Sequence, residues 1–296
     1  TSLALAKMLA NERIKVDIFS DGKIRKINKI QTLGISKSNI EFFDKKILNI
    51  KKFLWDINRI EIYSDNLKNE KILEFENDKK ILFSLITNFD LYNHLFLSLK
   101  KNKLITFKKL IDYEILMKKG YNLIFNCDYN HSISKKFFNK KIEKNYRGFA
   151  HITTFQHKKV LNNNIAVQVF TKKGPIAFLP LSPNETSVVY SVKGKKEINL
   201  NEFIEKYNLS YEILKINKSL SFPLKSSNLR TYYHENIIAF GDLLHKIHPL
   251  AGQGFNMTIR DIKEIYNLII FKKEHGLDLD KSICLDFEKI TKDKNY

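Results

Sequence analysis

Cysteine is scarce in this sequence. Cys127 and Cys284 are the only two in 296 residues, and they lie far apart. That spacing argues against a disulfide framework and offers no cysteine-based zinc site. Long apolar runs are missing as well. None reaches the ~18–20 residues a membrane-spanning helix needs, and no signal-peptide pattern opens the chain. The expected location is therefore cytoplasmic, with peripheral attachment to a membrane face. Arginine is the third shortage. Of 51 basic residues only six are Arg, namely Arg13, Arg25, Arg59, Arg147, Arg230 and Arg260. The net charge of +19 thus rests on Lys. Base and phosphate recognition favours the planar Arg fork, so nucleic acid is not an expected partner. Attraction to an anionic membrane surface is consistent with the lysines. So is compositional drift, since Lys, Asn, Ile and Phe all have AT-rich codons. With 43% hydrophobic residues the chain can bury a sizeable core in one or two domains.

The richest stretch runs from Gly241 to Asp261 (GDLLHKIHPLAGQGFNMTIRD). It follows the short apolar run Ile237-Ile238-Ala239-Phe240, which reads as a buried strand. It leads into Met257 to Phe271, which has helical periodicity and ends in Lys272-Lys273. An acid thus stands at a strand's end, and a Gly-rich turn opens a helix. Such a turn brings bare N–H groups and a positive helix end up to an electron-rich ligand. Three glycines alone would carry little weight; eleven fixed positions within a 21-residue stretch carry more.

The stretch resembles the flavin-proximal motif of the FAD-dependent aromatic hydroxylases of ubiquinone biosynthesis, relatives of the p-hydroxybenzoate hydroxylase type of flavoprotein monooxygenase. Members show Gly-Asp-x-x-His-x-x-His-Pro-x-x-Gly-Gln-Gly-x-Asn and then Arg-Asp, and each residue is present here. Weaker matches follow in order along the chain. Asp128 and Ser132 fit an Ala-Asp-Gly-x-x-Ser segment, although Tyr129 replaces its Gly. Gly174 to Leu181 fits Gly-Pro-x-Ala-x-Leu-Pro-Leu, a strand that forms part of the wall over the flavin in that family. Gln31 stands where the family has Arg, beside the flavin.

The resemblance implies an α/β fold, a Rossmann-type FAD-binding domain interleaved with a β-sheet substrate domain. The FAD-binding parts would be residues 1–52, 90–145 and 229–296, and the substrate parts 53–89 and 146–228. The helix Thr1–Ala10 and strand Ile14–Phe19 would be the first helix and second strand of the dinucleotide unit. Its first strand and G-x-G-x-x-G turn are expected immediately before Thr1, which leaves the FAD domain N-terminally incomplete, as in a fragment. Asp21 could bond the adenosine ribose or begin the Asp21-Gly22 turn. Asp242 would accept hydrogen bonds from ribityl hydroxyls. Pro249 would pack near the flavin's reactive edge. Gly252, Gln253, Gly254, Phe255 and Asn256 would line its pyrimidine end. Arg260-Asp261 would make structural contacts. His245 and His248 stand three apart but lack a local carboxylate or thiolate to complete a metal site, so no metal is expected.

The implied activity is hydroxylation of the aromatic ring of a polyprenylated ubiquinone precursor with O2 and NAD(P)H, on an FAD that supplies the chemistry. The expected partners are that apolar aromatic molecule, an anionic membrane surface and other quinone-biosynthesis proteins. Two alternatives stand beside it. One is an FAD oxidoreductase of the same superfamily with a different substrate. The other is a degenerate, flavin-free scaffold, motivated by Gln31, Tyr129 and a shortened segment between Lys108 and Asn122 where relatives have a three-stranded meander.

Overall fold

The computed structural model describes residues 1–21, 29–65, 70–76, 81–194, 196–247 and 253–295. Helix α1 (Ser2–Asn11) buries Ala4, Leu5, Ala6, Met8, Leu9 and Ala10, most of its circumference, as suits a helix enclosed by neighbouring elements. Strand β1 (Val16–Ser20) follows, then β2 (Thr32–Ser36) and α2 (Lys37–Lys46). Next come β3 (Trp55–Ile57), β4 (Arg59–Ser64), β5 (Glu70–Glu76) and β6 (Phe83–Thr87). Helix α3 (Asn88–Lys100) starts on a Thr87 cap, whose hydroxyl oxygen accepts from the Asp90 N–H. Strand β7 (Ile105–Lys109) pairs parallel with β1. Where a meander was expected to be cut short, the chain forms the single turn α4 (Tyr113–Met117) before β8 (Ile124–Asn126) and α5 (Ser132–Phe137).

The middle of the chain is β9 (Lys141–His157), β10 (Ile165–Thr171), β11 (Gly174–Ser182), β12 (Glu185–Lys193), α6 (Leu200–Tyr207), β13 (Ile213–Ile216) and β14 (Leu220–Leu229). The last part holds β15 (Tyr233–His234), β16 (Ile237–Ala239), β17 (His245–Lys246), α7 (Gln253–Glu274) and α8 (Ser282–Asn295). A nine-stranded sheet runs β17-β14-β9-β12-β11-β10-β4-β5, with β13 also on β9. The rest of the strands form two small parallel-containing units, β1-β7 and β15-β16-β8, and a three-stranded sheet β2-β6-β3.

Residues 53–89 divide between two sheets, with β4 and β5 at one edge of the large one. Strands β3 and β6 pair antiparallel with each other, and β6 pairs with β2. Alternation tells which face of a strand is buried, not which strand it pairs with. The large sheet and the three-stranded sheet are joined by a small apolar cluster. Ile57, Leu85 and Ala166 are buried there, with Trp55, Phe83, Leu179 and Leu181 packed around them. The Trp55 indole N–H donates to the Asn163 carbonyl at 2.6 Å across the same junction. The main core gathers α1, α2, α3, β16, α7 and α8. A second core lies between the large sheet and α6, with Phe155, Ile176, Phe178, Val188 and Tyr190 buried beneath Leu200 and Ile204.

Candidate active site

Strand β16 is fully buried and delivers the chain to Gly241, whose φ is +65°. A Cβ at Gly241 would lie 2.5 Å from Thr1 Cγ2. The strand's end therefore abuts the start of α1, and glycine suits both the backbone and the space. A 3-10 turn over Gly241–Leu243 then buries Leu243 and leaves Asp242 exposed. Asp242 lines a cavity of about 290 Å³ with Thr1, Ser2, Cys127, Asp128, Tyr129 and Asn130. Helix α1 has no side-chain cap, and its first intrahelical bond runs from the Leu5 N–H to the Thr1 carbonyl. Thr1 and Ser2, at the N-terminal end of α1, thus line the same cavity as Asp242.

The segment after β8 makes the opposite wall. The Asp128 carboxylate accepts from the Asn130 N–H at 2.9 Å, which closes a turn. The Tyr129 hydroxyl donates to the Asp242 carbonyl. Burial, and then the nearby Asp242 charge, push the Tyr129 phenol above its usual range. In place of a glycine that would let backbone approach, the chain carries a phenol that ties two loops together. Burial likewise pushes the Cys127 thiol up to about 11, so at neutral pH it is a protonated thiol.

The start of α7 is held elsewhere. The Asn256 amide donates to the Gly34 carbonyl at 2.8 Å, and its Oδ1 accepts from the Ser36 N–H at 3.0 Å and from Asn39 Nδ2 at 2.8 Å. That side chain is committed to β2 and α2, and the Asn256 carbonyl also accepts from Asn39 Nδ2 at 3.3 Å. The Phe255 ring is turned inward too, 6.4 Å from the Phe43 ring. Among the described residues, the nearest atom to a Cβ at Gly254 is Ile247 Cγ1 at 3.8 Å, an ordinary van der Waals distance. Gln253 begins the helix. Pro249 and Gly252, along with His248, lie outside the described residues.

Two further expected residues stand apart from the cavity lining. Asp21 is exposed just past β1. Gln31 accepts from the Asn88 side chain at 3.2 Å and from the Asn88 N–H at 2.8 Å through its carbonyl, which joins β2 to the start of α3. Asp261 carries the largest surprise. Its carboxylate lies 2.8 Å from His245 Nε2, with both side chains almost wholly buried. Burial raises the Asp261 carboxyl above the usual range, against the opposing pull of His245. The sequence held a clue, because Asp261 shares the buried stripe of α7 with Thr258, Ile262, Ile265 and Ile269. A carboxylate on such a stripe needs a buried partner. Among the described residues no cluster of His, Cys, Asp and Glu could hold a metal ion, and no helix is long and apolar enough to cross a membrane.

This is the fold of the FAD-dependent monooxygenases. Among solved structures, PqsL of Pseudomonas aeruginosa, a probable FAD-dependent monooxygenase, superposes with a TM-score of 0.73 at 14% identity, over 97% of this chain and 87% of that one. The p-nitrophenol 4-monooxygenase PnpA of Pseudomonas putida gives 0.75 at 12% identity, over 97% and 82%. In sequence, the chain is similar to the ubiquinone biosynthesis monooxygenase COQ6 of Schizosaccharomyces pombe. The match is 26% identical over 212 residues, 55% of this chain and 44% of that protein. It is also similar to the 3-demethoxyubiquinol 3-hydroxylase of Escherichia coli, 32% identical over 119 residues, 37% of this chain and 30% of the relative. The matches thus span less than half the length of these relatives. No family model matches the chain.

Proposed function

We propose that the chain is an FAD-dependent monooxygenase that hydroxylates the aromatic ring of a polyprenylated ubiquinone precursor, with O2 and NAD(P)H. The observation that carries this reading is the placing of Asp242, at the end of the buried strand β16, in one cavity with the N-terminal residues of α1. An acceptor and a positive helix end side by side suit a polyol joined to a diphosphate. The residues present fit that group. Asp242 would hold ribityl hydroxyls. The first N–H groups of α1 would face the diphosphate. The start of α7, at Gln253, Gly254, Phe255 and Asn256, would offer backbone N–H groups to the electron-rich pyrimidine end. When bound, the flavin would supply the oxygen-activating chemistry. The chain's part is to bind it, orient it and keep water out.

The sequence relatives favour this reading over both alternatives, since their names carry ubiquinone biosynthesis and monooxygenase or hydroxylase activity. The division into an FAD-binding part (1–52, 90–145, 229–296) and a substrate part (53–89, 146–228) belongs to the same proposal, as do roles for Pro249 and Gly252 at the flavin, for Asp21 at the ribose and for Gln31 beside the ring. Contact with an anionic membrane and with other quinone-biosynthesis proteins would bring so apolar a substrate to the site. The test is a turnover assay with FAD, NAD(P)H, isotopically heavy O2 and a polyprenyl phenol. One labelled oxygen on the ring is expected. NAD(P)H consumption with an unlabelled phenol would point to a different substrate, and no consumption to the flavin-free scaffold.

A further inference from the structure

The start of β9 and the end of β14 form a ribbon at one end of the large sheet. Lys141 to Asn145 pair with Lys225 to Leu229, and the Arg230 N–H then donates to the Lys140 carbonyl at 3.0 Å. Every position from Lys141 to Arg147 is exposed, so both faces of this stretch meet solvent. Large apolar side chains stand among them. Ile142 is 48% exposed, Tyr146 36%, and Phe222 of β14 44%. The exposed charges are nearly all of one sign: Lys140, Lys141, Lys144, Arg147, Lys225 and Arg230, joined by Lys246 of β17 opposite Ser227. Glu143 is the one acid in residues 140–147 and 222–230, and it pairs with Lys141 at 2.9 Å. Among the described residues the other six basic side chains stand in no ion pair. Lys144 lies 5.2 Å from the centre of the Tyr146 ring, its stem along an apolar neighbour and its charge outward.

Charge decides what can cover this ribbon. A second copy would set cations against cations, which opposes association. Protein interfaces favour Arg and are depleted in Lys, and five of the seven cations here are Lys. Lysines interleaved with Tyr, Phe and Ile suit a surface that is anionic outside and apolar just beneath. We propose that the ribbon of β9 and β14 is a docking surface for an anionic phospholipid bilayer. The lysines meet the headgroups, and Ile142, Tyr146 and Phe222 enter the boundary below them. Lys141 and Leu229 of the ribbon also line a cavity of about 210 Å³ with Tyr129, and Tyr129 lines the Asp242 cavity as well. A docked ribbon therefore holds the candidate active site at the membrane face. That last step, which brings an apolar substrate to the site, rests on the function proposed above; the docking itself does not.

The test is co-sedimentation of the full chain with vesicles of phosphatidylcholine alone, or with phosphatidylserine at roughly one part in three. Three double variants are compared with wild type, each checked for folding by thermal unfolding. Lys144→Glu/Lys225→Glu reverses charge on the ribbon. Ile142→Ser/Phe222→Ser removes its apolar side chains. Lys100→Glu/Lys101→Glu makes the same charge change at the end of α3. Wild type is expected to bind the serine-containing vesicles, and to be released as salt rises from about 0.1 M to about 1 M. Both ribbon variants should bind them at least about tenfold more weakly, and the α3 variant within about threefold of wild type. Equal losses in the ribbon and α3 variants would overturn the proposal, because net charge alone would then explain binding. Ribbon variants that bind like wild type would overturn it too, as would a wild type that ignores phosphatidylserine. The assay needs no cofactor. Vesicle binding through the ribbon by a protein that takes up no FAD would overturn the enzyme reading and leave the docking surface standing.

Discussion

Replacing Gly174 with alanine is expected to cost about 3 kcal/mol or more of stability, lowering the thermal midpoint by about 6–12 °C. Gly174 opens β11 with φ +137°, a region that side-chain-bearing residues rarely adopt, and a Cβ there would lie 2.0 Å from the Ser191 carbonyl oxygen. That oxygen belongs to the backbone of β12, which pairs antiparallel with β11 from Ile176↔Tyr190 onward. No rotamer change relieves the clash; two strands must part. Ile176 and Phe178 of β11 lie in the core beneath α6, while Leu179 and Leu181 pack on the junction with the three-stranded sheet. The damage would therefore spread to both. Thermal unfolding followed by circular dichroism measures it. By contrast, a Cβ at Gly254 meets only an ordinary van der Waals neighbour among the described residues, and Gly254→Ala should change stability by no more than about 1 kcal/mol.

Asp242→Ala is expected to act the opposite way, on binding and not on folding. Asp242 is exposed in its turn, and surface changes of this kind alter stability by about 0.5 kcal/mol or less. A carboxylate that accepts from a polyol, however, contributes about 1.5–3 kcal/mol. FAD should bind about 10- to 100-fold more weakly, at an unchanged unfolding temperature. Asp242→Asn keeps an acceptor without the charge and should fall between. Equal FAD affinity in wild type and Asp242→Ala would place the ribityl chain elsewhere.

Much of this site was legible along the chain because its parts are contiguous. A buried strand, an acid, a Gly-rich turn and a long amphipathic helix follow one another from Ile237 to Glu274, and the structure has β16, the Asp242 turn and α7 in that order. The first helix and second strand were legible for the same local reason. What sequence concealed was partnership across distance. Nothing local to Asn256 shows that its side-chain oxygen accepts from the Ser36 N–H, 220 positions away. Arg260-Asp261 reads as a local couple, but helical spacing sends Asp261 inward to His245 and leaves Arg260 at the surface. Tyr129 reads as a lost glycine and proves to be a tie to the Asp242 turn. Strand β9 shows the same limit: it runs unbroken for 17 residues from Lys141, though its first seven positions are exposed on both faces and carry no apolar alternation.

The most direct measurement titrates the purified protein with FAD and follows thiol labelling at Cys127 and Cys284 together with the flavin spectrum. Cys127 lines the cavity with Asp242, whereas Cys284 is buried in α8 with its thiol pushed up to about 12. Labelling at Cys127 should be slow at neutral pH, speed up as the pH approaches 11, and slow again as FAD saturates a single site. Cys284 should not respond to FAD. Saturable flavin binding that leaves Cys127 labelling unchanged would contradict the placement of the cofactor in this cavity, and a folded protein that binds no flavin would contradict the account at its root.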